Sequence, residues 1–163
     1  MEQGLIFFVI YAKSPYKRSN TKGISSEHHA DDDNGKPFVG DPRYILKKAL
    51  KEAKEALEGL DADRIVNVYA NEFLFEDASS KECITDRKAL REYFQQLFAL
   101  PQVSFSDIRI FEAGSFATIE WTWSGVKRDT GKPYRVKGAS VIELREGKIS
   151  RETIYYDPRP ALS

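Results

Sequence analysis

The sequence predicts an α+β domain: three helices followed by a strongly curved, mostly antiparallel sheet that wraps into a cone around a pocket. Three observations carry this. Between residues 41 and 101 apolar side chains mostly recur at three- and four-residue spacing, the period of a helix lying on a core. From residue 103 onward they alternate, the period of a half-buried strand. Helices first and antiparallel strands afterwards is an α+β order, and no internal repeat interrupts it.

The elements follow in turn. Asp41 is a good N-cap and Pro42 suits a first helical position. Leu46, Leu50, Ala53, Leu57 and Leu60 then form one apolar stripe, with Lys47, Lys48, Lys51, Glu52, Lys54, Glu55 and Glu58 largely off it, and Gly59 stops the helix. A second, short helix starts at the cap Asp61 and carries Ile65, Val66, Val68 and Tyr69. Phe73–Asp77 reads as a strand with Phe73, Phe75 and Asp77 on one face, and Cys83 falls in the loop after it. Thr85 or Asp86 caps a third helix with Leu90, Tyr93, Phe94, Leu97 and Phe98 as its apolar residues, ended by Pro101. Residues 103–112 form a strand. Residues 115–124 form another, with Ala117, Ile119, Trp121 and Trp123 inside and Thr118, Glu120, Thr122 and Ser124 outside. Residues 134–145 place Val136, Gly138, Ser140, Ile142 and Leu144 on one face. The turn Arg145-Glu146-Gly147-Lys148 leads into a last strand, 149–157, whose inner face carries Glu152, Ile154 and Tyr156.

Residues 1–40 read differently. Positions 13–40 are rich in Ser, Asn, Asp, Gly and Lys without an apolar period, the composition of a flexible extension. The apolar run 5–12 is too short to span a bilayer, which takes about 20 residues. It also lacks the basic flank and cleavage site of a signal peptide. A single domain over 41–163 is therefore expected, in a chain of 163 residues.

Composition excludes several classes of function. Twenty-five basic and 25 acidic residues balance to zero, so nothing draws the chain to nucleic acid or to an anionic membrane. The single cysteine, Cys83, forbids an internal disulfide and a multi-thiolate zinc site, and favours the cytoplasm. The only histidines, His28 and His29, lie in the extension, so a histidine base or metal site in the domain is not expected. His28 and His29 with Asp31, Asp32 and Asp33 read as a solvated tail. No phosphate loop, nucleophile elbow or paired Cys-x-x-Cys is present, and no cofactor is expected.

The run Gly59-Leu60-Asp61-Ala62-Asp63, then Tyr69-Ala70-Asn71-Glu72 into the strand, then Asp86 to Phe94, then Gly147-Lys148-Ile149 and Tyr155-Tyr156-Asp157 together resemble the nuclear transport factor 2-like superfamily. Within it the chain is most similar to the SnoaL-like polyketide cyclases and to ketosteroid isomerase, over residues 44–158. The resemblance implies the cone fold, also called cystatin-like, and frequent homodimerisation through the outer sheet face. It places Asp77, after Glu76, where the isomerase keeps its base carboxylate. The isomerase's oxyanion tyrosine falls near Ala53 and its protonated acid near Gly138–Ser140, where only Ser140 can donate. Limonene epoxide hydrolase is less similar: its polar positions fall on Ile119, Trp121, Trp123 and Ile154, all apolar here. SnoaL itself uses an acid and a histidine, for which Asp77, Glu152 or Asp157 would have to substitute.

The candidate catalytic residues are thus Asp77 as base, Glu152 and Tyr156, and the candidate pocket is Phe73, Phe75, Tyr93, Ile119, Trp121, Ser140 and Ile154. Each has a plainer reading. Asp77 can cap the loop that follows it. Glu152 can sit at the rim paired to Arg151 or Arg109. Tyr69, Tyr93, Tyr134 and Tyr156 can be packed tyrosines with wet tips. Trp123 can wall the pocket, fill the core or close a dimer contact. Asp157 points away from the cavity and reads as structural.

Three functions fit this pattern. The first is a pocket protein for a small, largely apolar, oxygen-bearing molecule, with proton-transfer isomerisation, cyclisation or dehydration as its chemistry. The second is a non-catalytic binding or homodimeric association module on the same fold. The third is a partner-binding protein docking through residues 1–40. No nucleic-acid, membrane or metal partner is expected.

Overall fold

The computed structural model describes residues 42–162. The cap at Asp41, the extension 1–40 and its histidines lie outside the described residues. Helix α1 (Pro42–Glu58) buries Leu50 and Ala53 of the expected stripe together with Ala49 and Ala56, while Leu46 and Leu57 are only partly buried against the core. Helix α2 (Ala62–Asn67) is capped by Asp61, whose side chain accepts from the Arg64 amide at 2.8 Å. Helix α3 (Arg87–Phe98) is capped by Asp86, which accepts from the Ala89 amide at 2.9 Å. Each cap satisfies an amide that the first turn cannot bond internally.

Six strands follow: β1 (Tyr69–Asp77), β2 (Glu82–Ile84), β3 (Ser104–Ala113), β4 (Phe116–Val126), β5 (Pro133–Arg145) and β6 (Lys148–Tyr156). They form one curved, open sheet in the order β2-β1-β6-β5-β4-β3. All neighbours are antiparallel except β1 and β6, the first and last long strands, which run parallel. The fold is the expected α+β arrangement of helices on a curved, mostly antiparallel sheet.

Helices α1 and α3 cover one sheet face. Phe94 of α3 meets Phe75 of β1 with ring centres 5.9 Å apart, and Phe98 meets Phe105 of β3 at 6.1 Å. Inward positions on β4 and β5 follow the predicted alternation. The β5–β6 turn places both Glu146 (φ 52°) and Gly147 (φ 71°) in the left-handed region, as the twist of a two-residue hairpin requires. A Cβ on Gly147 would also lie 2.0 Å from the Ile45 side chain of α1, which would have to shift.

Two expectations are corrected. Tyr69 belongs to β1, not to the second helix: α2 ends at Asn67, and Tyr69 pairs with Ile149 of β6. Cys83 lies on β2, a three-residue edge strand paired to β1, too short for its alternation to show. Thr122 keeps its expected outer-face position by alternation yet is buried, in register with Ser106 of β3 and Lys137 of β5. A one-turn helix, α4 (Arg159–Leu162), follows the last strand and packs on β5.

Candidate functional site

The inner sheet face collects two buried carboxyl groups. Asp77 ends β1 and is 1% exposed. Its Oδ1 accepts from the amides of Ser79 (2.9 Å) and Ser80 (3.1 Å) in the turn to β2. Its Oδ2 accepts from the hydroxyls of Tyr156 (2.9 Å) on β6 and Tyr93 (3.2 Å) on α3. A carboxylate offers about four lone-pair sites, and all four are taken. Asp77 therefore caps its loop and also holds two phenols facing the site. Burial first, and the Asp77 charge next, push the Tyr93 and Tyr156 hydroxyls well above the usual tyrosine range, so both stay protonated donors.

Glu152 of β6 stands beside Phe75 of β1 and Ile142 of β5 and is 9% exposed. It accepts from the Tyr69 hydroxyl and from Ser140, and the Trp121 indole N–H donates to Ser140 Oγ at 3.2 Å. Burial raises its carboxyl above the ordinary range, and the two neutral donors only partly offset this. The rim pairing expected for Glu152 does not occur. Arg151 pairs with Glu76 and Arg109 with Glu120, both on the outer face, because alternation sends Glu152 inward.

Tyr69 owes its position to Arg87. The guanidinium donates to the carbonyls of Val66 (2.7 Å), Tyr69 (3.1 Å) and Ala70 (2.9 Å), pinning the chain where α2 gives way to β1. Trp121 owes its own to Gly138 across the β4–β5 pair: a Cβ there would lie 2.2 Å from the indole ring.

The other expected pocket residues gather on the same face. Phe73 packs on Tyr69 (5.2 Å) and Phe75 on Tyr93 (4.9 Å). Trp121 lies between Phe105 (5.8 Å) and Tyr156 (5.9 Å). Ile154 registers with Asp77 on one side and Ser140 on the other, and Ile119 registers with Ser140. Trp123 is buried inside, against Tyr134 and Tyr156. Tyr134 thus meets Trp123 and not the acids. Asp157 is exposed and bound to Arg159, which lowers its carboxyl.

One residue escaped the sequence reading. Glu82 of β2 registers directly opposite Asp77, so the two acids share a face. Its Oε1 is buried without a hydrogen-bond partner, as is Ser80 Oγ in the intervening turn. Burial first, then the Asp77 charge, raise the Glu82 carboxyl. Nothing in a three-residue strand announced this pairing. At this sheet edge a cleft of about 410 Å³ is lined by Asp77 and Glu82 together with Glu76, Cys83, Arg151, Thr153 and Tyr155, whose side chains alternate to the outer face. Among the described residues no cluster of three His, Cys, Asp or Glu is placed to hold a metal.

An inner face of aromatic rings holding buried acids, beneath helices on an open curved sheet, defines a cone-type α+β domain. A SnoaL-like domain profile matches residues 50–152, and the chain belongs to the SnoaL-like domain family. No curated protein matches it. Solved structures are similar in fold. One, from Catenulispora acidiphila, is described as having a ketosteroid isomerase-like fold, in complex with trimethylamine; it shares 19% identity at TM-score 0.64, over 71% of this chain and 89% of that one. A "putative polyketide cyclase" from Xanthomonas campestris shares 20% at 0.65, over 74% and 96%. An NTF2-like protein of unknown function from Cytophaga hutchinsonii shares 15% at 0.58, over 72% and 95%.

Proposed function

We propose that the domain binds a small, largely apolar, oxygen-bearing molecule against its inner aromatic face and moves a proton on it, in an isomerisation, cyclisation or dehydration. The observation that carries this is Glu152, a buried carboxyl whose hydrogen-bond partners are neutral and whose affinity for its proton is raised. Burial of an acid without a cation destabilises a fold, and such groups concentrate at functional sites. Asp77, two residues further along the neighbouring strand, supplies the second carboxyl, held by the hydroxyls of Tyr93 and Tyr156. We also propose a cytoplasmic homodimer. Phe111, Phe116, Val141 and Tyr155 are exposed on the outer sheet face, and the single cysteine needs no oxidising compartment.

A second reading has its own support. Rings in contact run from Phe75 through Tyr93, Phe94, Phe98 and Phe105 to Trp121 and Tyr156, which is the packing of a filled interior and of a non-catalytic association module.

A thermal-shift screen of planar phenols, enones and polyketide-like acids separates the two. The proposal expects one class to raise the melting temperature of the wild type, with the response altered in Asp77→Asn and Glu152→Gln, since a ligand bound only to the folded state stabilises it by mass action. No shift with any compound supports the association module.

A further inference from the structure

Four polar side chains cross the inner face in one relay, one from each of four neighbouring strands: Tyr69 of β1, Glu152 of β6, Ser140 of β5 and Trp121 of β4. All four are at least nine-tenths buried. The Trp121 indole N–H donates to Ser140 Oγ at 3.2 Å, Ser140 donates to Glu152, and the Tyr69 hydroxyl donates to Glu152 from the other side. Every hydrogen of the relay therefore points toward the one carboxyl, the arrangement that suits its ionised form. A neutral carboxyl breaks the pattern, because it has a proton of its own to donate. The acceptors in its reach are the two oxygens that donate to it. The Tyr69 hydroxyl is tied to the plane of an almost fully buried ring. Ser140 Oγ has a second lone pair and its hydroxyl rotates, so Ser140 is the group that turns. The Tyr93 and Tyr156 hydroxyls are committed to Asp77 and leave a ligand oxygen without their help.

We infer that this relay is a proton switch on ligand binding: when Glu152 takes up a proton its carboxyl donates to Ser140 Oγ, and the Ser140 hydroxyl is released to donate to a ligand carbonyl on the inner face. The inference rests on the inner-face ligand reading above and gives that site its regulation. The ligand it selects is a neutral acceptor such as a ketone. Tyr69 of β1 is the titratable group that faces Glu152, and Tyr93 of α3 acts in turn on Tyr69. Asp77 of β1 is enclosed by four neutral donors of its own. Strand β5 contributes Ser140 and Ile142, and α1 and α3 bury Ala49, Leu50, Ala53, Leu90 and Phe94, none of which titrates. Burial pushes the Tyr69 hydroxyl well above the usual tyrosine range, so the proton that comes and goes is that of Glu152, itself raised by burial. The protonated form binds the ketone better, so binding is tightest below the folded Glu152 value and weakens as pH rises through it.

The test reads the switch without a ligand and then with one. In the free wild-type protein, 15N NMR between about pH 4 and pH 8 should show the Trp121 indole N–H moving along one titration curve, with its midpoint above the unfolded glutamate value of about 4.3. In Glu152→Gln the signal should hold still. The same signal then gives the dissociation constant of 2-tetralone, a bicyclic ketone whose oxygen only accepts. In the wild type it should rise about tenfold across that curve, the scale of one hydrogen bond. Glu152→Gln should keep the low-pH affinity throughout. Ser140→Ala should keep the high-pH affinity throughout, while its stability still varies with pH because Glu152 remains. An indole signal that does not titrate in the wild type overturns the switch. So does saturable 2-tetralone binding that stays within about twofold across the range, and both results leave the ligand reading standing. No saturable binding at any pH overturns the ligand reading and the switch with it. If Glu152→Gln does not fold, the other two proteins decide: a flat profile in Ser140→Ala beside a sloping wild type supports the switch, and parallel slopes overturn it.

Discussion

Asp77 shows how one side chain serves structure and site together. Replacing it by alanine strands two amides and two phenol hydroxyls. At about 1–3 kcal/mol for each buried group left unpaired, with partial relief by water, Asp77→Ala should cost about 3–5 kcal/mol in urea denaturation. Asn, which keeps an acceptor, should cost less. Glu152 makes a pH prediction. Its folded-state pKa lies above the unfolded one, near 4.3, so its contribution is complete below that value and is lost as pH rises through the folded value. The stability difference between Glu152→Gln and wild type should therefore shift in favour of the variant between about pH 4 and pH 8. Denaturation curves at the two ends check this; parallel curves would refute it. The inward direction of Glu152 was legible from alternation. Its Tyr69 partner was not, because the two are 83 positions apart in sequence.

At the scale of elements, helices α1 and α3 and strands β3 to β6 were legible, because long amphipathic periods and strict alternation survive any tertiary context. The junction 67–69 was not. Helix α2 is too short to fix its own end, and pairing of Tyr69 with Ile149 on β6, together with the Arg87 clamp, decides it. Strand β2 was hidden for the same reason, and with it the acid facing Asp77. The close approach of β4 and β5 gives a sharp test. Gly138→Ala must displace the Trp121 ring, so it should destabilise the fold by about 1–3 kcal/mol, as overpacking does, and shift tryptophan fluorescence. Asp86→Ala removes the α3 cap and should cost about 1 kcal/mol without altering the fluorescence.

The whole molecule divides its two sheet faces between two tasks. The inner face, covered by α1 and α3, carries the acids and rings. The outer face leaves Phe111, Phe116, Val141 and Tyr155 exposed, with Val141 in register between Thr118 and Thr153 at its centre. If that face forms the homodimer, Val141→Glu should shift the mass measured by light scattering from dimer to monomer while leaving the thermal response to ligands unchanged. The central claim concerns the inner face, and two-dimensional 15N NMR tests it most directly. The chain has two tryptophans and hence two indole N–H signals, and the amides of Ser79 and Ser80 report on Asp77. Titration with 2-tetralone should move the Trp121 indole signal and the Ser79 and Ser80 amides together, along one saturable curve. Shifts confined to outer-face residues, or none at all, would contradict a ligand site on the inner face.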